Sequence, residues 1–195
     1  MALFLIFLTA YCILHSVLAD AYIMRRVYFK WWYRFFYVAQ SILLFVPLFL
    51  MYHFLPSKPL FIPNTAMYVF YAISWIAGLG FGLYAVKSYD NGTFLGITQV
   101  KMKLKGTEYK YHKPKLTRRG ALAYVRHPYY SVSLLLIWAR PLAVKDLYLN
   151  TALTVYFILG TINEERKLRK EFGQEYIEYS REVPALIPFS KGSFK

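Results

Sequence analysis

The stretch YVRHPYYSVSLLLIWARP, residues 124–141, decides the fold because its apolar run lies between Arg-His-Pro at 126–128 and Arg-Pro at 140–141. The run is shorter than the roughly 20 residues that a spanning helix needs. Proline suits the first turn of a helix, so Pro128 marks a helix start. The stretch therefore predicts one short leg of a membrane-embedded hairpin, with a polar end at Arg126 and His127.

The composition of the chain also indicates a membrane protein. The 195 residues are 57% hydrophobic and 20% aromatic, whereas soluble domains average about 45–50% apolar residues. A single soluble core of this size cannot bury that excess, but a bilayer can. The length predicts one domain, 1–195, and the single cysteine excludes an intramolecular disulfide and a cysteine-based zinc cluster.

Five apolar segments predict an all-α fold, an integral membrane bundle of about five transmembrane helices. The first three segments are long enough to span, and the last two are short legs of a C-terminal helical hairpin linked at Lys145 and Asp146. The first segment could be a signal peptide, but no basic region precedes it, so we expect a retained span. The segments are residues 2–19, 37–55, 66–86, 131–144 and 147–162.

The formal net charge of +14 is explained either by a nucleic-acid partner or by membrane topology. If the loops after the first and third segments share one side with the tail, that side holds 21 of the 24 Lys and Arg residues. The positive-inside rule then predicts an outside N-terminus and a cytoplasmic C-terminus in a multi-pass membrane protein. No basic stripe is left over, so we expect no nucleic-acid partner, and nothing implies an obligate protein partner.

The tail EERKLRKEFGQEYIEYSREVP predicts one amphipathic helix. Four apolar and aromatic side chains fall on one face at i, i+4, i+8 and i+11, namely Leu168, Phe172, Tyr176 and Tyr179. Lysines and arginines crowd the start of this helix, which suits a lipid headgroup surface.

Polar side chains at the ends of the hairpin have two interpretations each. Arg126 and His127 are either an interfacial anchor at a helix start or an anion site beside the helix amides. Glu164 and Glu165 are either the polar rim of a helix or an acceptor site for a cation or ribose hydroxyls. An ionisable group near membrane depth is a functional hypothesis by default.

Three residues of the apolar segments are candidates for the substrate side. His15 either forms hydrogen bonds with a neighbouring helix or takes part in chemistry, and Gly78 and Gly80 either allow close helix packing or let a ligand approach the backbone. The glycine spacing does not fit a dinucleotide-binding fingerprint. We find no Ser-His-Asp triad, no HExxH motif and no phosphate-binding P-loop, and we predict no metal site.

The C-terminal half resembles the integral-membrane methyltransferases, a group with isoprenylcysteine carboxyl methyltransferase, the phospholipid methyltransferases and NnrU-like proteins. The resemblance rests on RHPYY, on NEERKLRKEFGQEYIEYSREVPALIP and on the hairpin between them, from about 90 to 188. TFLGITQV, WARP and LHSVLAD are most similar to the branch with methanethiol S-methyltransferase and NnrU-like proteins. The resemblance divides the chain into three transmembrane helices, 1–86, and a cofactor-binding loop, hairpin and interfacial tail helix, 87–195.

The resemblance implies S-adenosyl-L-methionine as cofactor and methyl transfer as the reaction. It implies that Arg126 and His127 act at the transfer centre. It further implies a pocket for the cofactor lined by Gln99, Tyr124, His127, Pro128, Tyr129, Tyr130, Glu164 and Glu165. The acceptor would be a small apolar or lipid-borne nucleophile reached from the lipid bilayer, such as a thiol, whose pKa falls beside cations.

The sequence alone leaves other functions open. Isoprenylcysteine carboxyl or phospholipid N-methyl transfer fits the same motifs, and membrane sterol reductases, which use NADPH, are similar in their C-terminal part. A non-enzymatic scaffold or transporter predicts that the Arg126 and Glu165 ends of the hairpin point apart and enclose no pocket.

Overall fold

The computed structural model describes residues 1–107, 109 and 115–190, so part of the basic stretch before Lys115 lies outside the described residues. The described residues form helices and no β-strand, with one isolated bridge between Pro59 and Ala143. The all-α fold class is confirmed. The helices are α1 (Ala2–Ala19), α2 (Tyr33–Phe54), α3 (Thr65–Val86), α4 (Asn91–Phe94), α5 (Ile97–Leu104), a 3-10 helix (Gly120–Ala123), α6 (Pro128–Trp138), α7 (Val144–Phe172) and α8 (Gln174–Glu182).

Helices α1, α2 and α3 are the membrane-crossing candidates among the described residues. Their most apolar 18-residue stretches have mean hydropathies of 2.2, 1.9 and 1.7, and at most 17% of each stretch is buried within the protein. Such exposed apolar surface requires lipid around it. Helix α6 is also apolar but is only 11 residues long.

The chain folds into two compact units. The first contains Met1–Pro56 and Asp90–Lys113, and the second contains Ser57–Tyr89 and Pro114–Lys195. The single domain 1–195 and its division at residue 86 stay predictions.

In the first unit, hydrogen bonds between polar side chains join α1 to α2. The Nε2 atom of His15 lies 2.8 Å from the hydroxyl of Tyr37, and its Nδ1 atom lies 3.1 Å from the hydroxyl of Ser41. Hydrogen bonds between helices satisfy polar groups that lipid cannot. The interpretation of His15 as a residue bonded to a neighbouring helix therefore matches its contacts.

Gly96 of the TFLGITQV motif lies against the backbone at the start of α2. Its φ is +80°, and a Cβ atom there would lie 2.3 Å from the backbone nitrogen of Phe35. Only glycine combines this conformation with this close approach. The motif thus fixes the short helices α4 and α5 beside the first turn of α2.

In the second unit, α3 packs on α6 through small residues one turn apart. Added Cβ atoms at Gly78 and Gly82 would lie 3.0 Å from Leu136 and 3.5 Å from Val132, whereas one at Gly80 would meet nothing within 4 Å. Gly78 and Gly82 therefore act in helix packing, and Gly80 faces away from that contact.

The link between the hairpin legs was wrongly predicted at Lys145 and Asp146. Helix α6 ends at Trp138, and α7 begins at Val144, so both residues belong to the first turn of α7. The Asp146 carboxylate accepts hydrogen bonds from the backbone of Ala143 at 2.5 Å and from Arg140 at 2.8 Å. Asp146 therefore caps α7, and Arg140 stabilises the turn.

The single amphipathic tail helix was also wrongly predicted. The second hairpin leg continues without a break through Glu164 to Phe172, and a separate helix, α8, begins at Gln174. Between them, Gly173 adopts φ 60° and ψ −132°, a conformation that is close to glycine-only. The helical register of Leu168 and Phe172 therefore does not continue to the tyrosines of α8.

We predict that Gly173→Ala lowers the free energy of unfolding by about 1–3 kcal/mol because the backbone there is strained for any residue with a Cβ atom. The site has space for a methyl group, so backbone conformation alone would cause the loss. Thermal unfolding in detergent measures the effect. Gly80→Ala is the matched control, also without steric contact but inside a helix, and should not destabilise; equal loss in both variants would contradict this explanation.

Candidate functional site

The Arg126 and Glu165 ends of the hairpin meet in a buried ion pair. The Nε and Nη2 atoms of Arg126 each lie 2.8 Å from one carboxylate oxygen of Glu165. The side chains are only 1% and 7% exposed. The scaffold hypothesis predicted that these two ends point apart, and this prediction is wrong.

Glu165 also accepts hydrogen bonds from two further residues. Its Oε1 atom lies 2.8 Å from Nε2 of His127 and 2.7 Å from the hydroxyl of Tyr176, in addition to Nε of Arg126. Burial alone would raise the pKa of Glu165, but the donors from His127, Arg126 and Tyr176 outweigh it and lower this pKa to about 2. Glu165 is therefore ionised throughout the physiological range.

Arg126 has a second role at the end of α8. Its Nη1 group donates to the backbone oxygens of Ser180, at 3.0 Å, and of Val183. The last carbonyls of a helix lack intrahelical partners and favour a cation. Arg126 thus satisfies the end of α8 and the carboxylate of α7 together.

The segment after α8 pairs with the backbone before α6. The amides of Arg126 and His127 donate to the carbonyls of Pro184 and Ala185 at 2.9 and 3.0 Å. One turn into α6, the Ser131 hydroxyl donates to the Leu186 carbonyl at 2.5 Å. The motif VPALIP is therefore held against the Arg-His-Pro motif by main-chain hydrogen bonds.

His127 lies between the two adjacent glutamates. Its Nδ1 atom is 3.4 Å from Glu164, and its Nε2 atom is 2.8 Å from Glu165. Burial alone would lower the pKa of His127, but the two carboxylates outweigh burial and raise it above its ordinary value. The ring therefore favours the imidazolium form, in which both nitrogens donate.

Tyrosine rings surround this end of the hairpin. The Tyr130 ring stacks on His127 with centroids 5.8 Å apart, and the Tyr129 ring stacks on Tyr89 at 5.0 Å. Burial, and after it the charge of Glu164, raises the pKa of Tyr89. The Glu164 side chain is 48% exposed. A half-exposed carboxylate among aromatic faces is suited to bind a cation.

Known proteins similar to this chain are membrane methyltransferases. Methanethiol S-methyltransferase 2 of Bradyrhizobium diazoefficiens is 29% identical over 94% of this chain and 71% of its own length. Methanethiol S-methyltransferase of Crocosphaera subtropica is 28% identical over 90% of this chain and 69% of its own length. Human protein-S-isoprenylcysteine O-methyltransferase is 35% identical over 85 residues, which are 40% of this chain and 28% of its own length.

These relatives support the resemblance of this chain to the integral-membrane methyltransferase superfamily. No family model and no solved structure matches this chain. The names of the relatives indicate methyltransferase activity for members of this superfamily, and the three long apolar helices agree with a membrane protein.

The structure brings together most residues that the methyltransferase resemblance assigned to the cofactor. Pro128 is buried as the first residue of α6, and its neighbours His127, Tyr129 and Tyr130 lie in the tyrosine-lined end described above. Tyr124 differs, because it is 47% exposed and its ring lies 6.5 Å from that of Phe189.

Two assigned residues of this methyltransferase-like chain belong to the first unit. His15 forms the side-chain hydrogen bonds between α1 and α2, and Gln99 donates through Nε2 to the Thr93 carbonyl at 3.1 Å. The Oε1 atom of Gln99 is buried and has no hydrogen-bond partner in the part of the chain that the structure describes. The roles of both residues toward cofactor and substrate stay predictions.

Sequence reasoning missed Tyr176 as a partner of Glu165, and it missed Tyr89. The signal for Tyr176 was present in the Phe-Gly-x-x-Tyr-x-x-Tyr motif of the methyltransferase resemblance. Its glycine ends α7, and the tyrosine three residues later returns to the carboxylate. Nothing in the sequence pairs Tyr89 with Tyr129.

We predict that stability falls as the pH rises through the raised pKa of His127. A folded-state pKa above the unfolded value of about 6.5 stabilises the protein fully below that value, and the gain is lost at higher pH. The loss is about 1.4 kcal/mol for each unit by which the pKa is raised. Thermal unfolding from pH about 6 to pH about 9 measures it.

His127→Gln is the control for this prediction, because glutamine does not titrate. This variant should be less stable at low pH and should lose the alkaline dependence. If it keeps the same dependence as the unchanged protein, another group is responsible.

Proposed function

We propose that this membrane protein transfers a methyl group from S-adenosylmethionine to a small or lipid-borne apolar thiol. The observation that carries the proposal is the unequal exposure of the adjacent glutamates, 48% for Glu164 and 7% for Glu165. Glu165 uses its oxygens for internal donors, so Glu164 is the carboxylate that presents acceptor surface to a ligand.

The residues at this end of the hairpin fit the chemistry of the proposed cofactor. S-adenosylmethionine carries an ammonium, a sulfonium and ribose hydroxyls, all of which suit a carboxylate or aromatic faces. When bound, it would supply an electrophilic methyl group and leave as a neutral thioether. We propose that Glu164 receives the cationic or hydroxyl groups, and that Tyr129 and Tyr130 provide the aromatic faces.

The contacts of Arg126 and His127 favour positioning roles in this function. Four N–H groups of Arg126 donate to Glu165 and to backbone carbonyls at the end of α8. Few donors of Arg126 therefore remain to bind a thiolate. Both ring nitrogens of His127 face carboxylates, Nδ1 at 3.4 Å from Glu164 and Nε2 at 2.8 Å from Glu165, so the ring is placed to orient Glu164 rather than to accept a thiol proton. Their direct action at the transfer centre stays a prediction from the resemblance.

An apolar cleft in the same unit supports an apolar acceptor. The cleft has a volume of about 390 Å³ and is lined by α3, α6 and the segment 186–188. Its lining includes Gly78 and Phe81, and its polar member, Ser131, also donates to the His127 carbonyl at 3.1 Å. One end of the cleft is therefore a single helical turn from His127.

The relatives favour a thiol but keep one alternative open. Two of them are named for methanethiol, whereas the human relative is named for isoprenylcysteine and a transfer to oxygen. Both acceptor classes are apolar, which agrees with the lining of the cleft. Carboxyl methylation of a prenylated cysteine is thus the second candidate function.

Cofactor binding tests the proposal most simply. We expect Glu164→Gln to raise the dissociation constant for S-adenosylmethionine about tenfold, because it removes a charge-assisted interaction at the surface. Glu175→Gln is the matched control, since it neutralises an exposed glutamate on α8, and it should change the constant by less than about twofold. Isothermal titration of detergent-purified protein measures both. Folded protein that binds no cofactor would refute the proposal.

A second prediction concerns the acceptor cleft. Phe81→Ala should enlarge the cleft and raise kcat/KM for a long alkyl thiol relative to a short one about tenfold. Phe70→Ala makes the same change on α3, at a ring that is 60% exposed and does not line the cleft, and should leave the ratio unchanged. Equal effects of both variants would contradict this acceptor site, and turnover of prenylated cysteine alone would support the second candidate.

A further inference from the structure

A pair of adjoining clefts in the first unit lies at the start of α2. The smaller has a volume of about 210 Å³, and its lining includes Lys30, Arg34 and Phe94. The larger, of about 630 Å³, shares Lys30 and adds Lys103. No acidic side chain lines either cleft in the described part of the chain. The three cations Lys30, Arg34 and Lys103, with no carboxylate among the described lining residues, favour an anion.

Arg34 is held in place to receive that anion. Its Nε atom donates to the Phe94 carbonyl at 2.6 Å, and its guanidinium carbon lies 4.7 Å from the Phe94 ring and 5.2 Å from the Tyr37 ring. The hydrogen bonds among the described residues engage only Nε, so both terminal amino groups can bind a ligand. A fixed guanidinium with two open amino groups matches the geometry of a phosphate.

The charge of the clefts disfavours the proposed methyl donor as their ligand. S-adenosylmethionine carries two cationic groups and one carboxylate, so its net charge is positive at neutral pH. Lys30, Arg34 and Lys103 would repel it. The clefts therefore call for a different ligand from the one proposed at Glu164.

The position of the clefts indicates a lipid rather than a soluble anion. They lie on the segment between the ends of the spans α1 and α2, where Tyr22, Phe29 and Trp31 are exposed. Exposed aromatic rings next to spans typically lie at the headgroup level. The described residues of this unit contain seven basic and two acidic side chains, which are Arg25, Arg26, Lys30, Arg34, Lys101, Lys103 and Lys105 against Asp20 and Asp90.

We propose that these clefts bind the phosphate headgroup of an anionic phospholipid, with Arg34 and Lys30 on the phosphate. The aromatic walls lie at the headgroup level, and the acyl chains of the lipid extend along the exposed apolar faces of the spans. This inference is independent of methyl transfer. A failure of lipid binding would not contradict the proposed methyl transfer, and a failure of methyl transfer would not contradict lipid binding.

The test is a titration of the detergent-purified protein with short-chain phosphatidylglycerol, followed by tryptophan fluorescence, since Trp31 and Trp32 line the larger cleft. We expect saturable binding at least tenfold tighter than that of phosphatidylcholine. Arg34→Gln should weaken binding about tenfold. Arg26→Gln removes a neighbouring arginine outside both clefts and should weaken it less than about threefold, as a diffuse surface charge does.

Four outcomes would overturn the proposal. Equal losses in the two arginine variants would mean that diffuse charge alone attracts the lipid, and equal affinity for phosphatidylcholine would exclude an anion site. Displacement by glycerol 3-phosphate at the affinity of the lipid would identify a soluble phosphate ligand, and displacement by S-adenosylmethionine would assign the cleft to the cofactor. If Arg34→Gln does not fold, Lys30→Gln replaces it, because Lys30 is exposed, and the same tenfold loss is expected.

Discussion

The carboxylate of Glu165 is the interaction on which the second unit depends. One of its oxygens accepts hydrogen bonds from Arg126, His127 and Tyr176, which come from two separate parts of the chain, the residues before α6 and helix α8. An ion pair this deeply buried is costly to form, and removing one partner strands the other, which typically costs about 3–5 kcal/mol. The ion pair therefore holds three elements together: the residues before α6, the buried carboxylate of α7 and helix α8.

Glu164 and Glu165 are adjacent in the sequence, but they have different roles because the second unit depends on Glu165. Glu165 is part of the folded framework, so its loss would report on stability before it reported on any ligand. Glu164 is turned about 100° around the same helix and remains half exposed beside His127. Glu165 holds His127 in place, and His127 in turn contacts the accessible carboxylate of Glu164. A binding group that is held in place before the ligand arrives lowers the entropic cost of binding.

The sequence predicted the elements of the site better than their geometry. Hydropathy located the spans, and the Arg-His-Pro and Glu-Glu motifs were correctly expected to meet. The break at Gly173 was missed because the apolar spacing of Leu168, Phe172 and Tyr176 fits a continuous helix, and periodicity does not report one residue's backbone conformation. The contacts of Arg126 with α8 follow from that break, so they could not be foreseen either.

The most direct test of the proposed function is the transfer of an isotopically labelled methyl group by the purified protein. S-adenosylmethionine labelled at the methyl carbon is incubated with the protein and an apolar alkyl thiol, and the product is identified by mass spectrometry. The proposal predicts a thioether that carries the label and forms only when both protein and thiol are present. Folded protein that yields no labelled thioether from any alkyl thiol would contradict it.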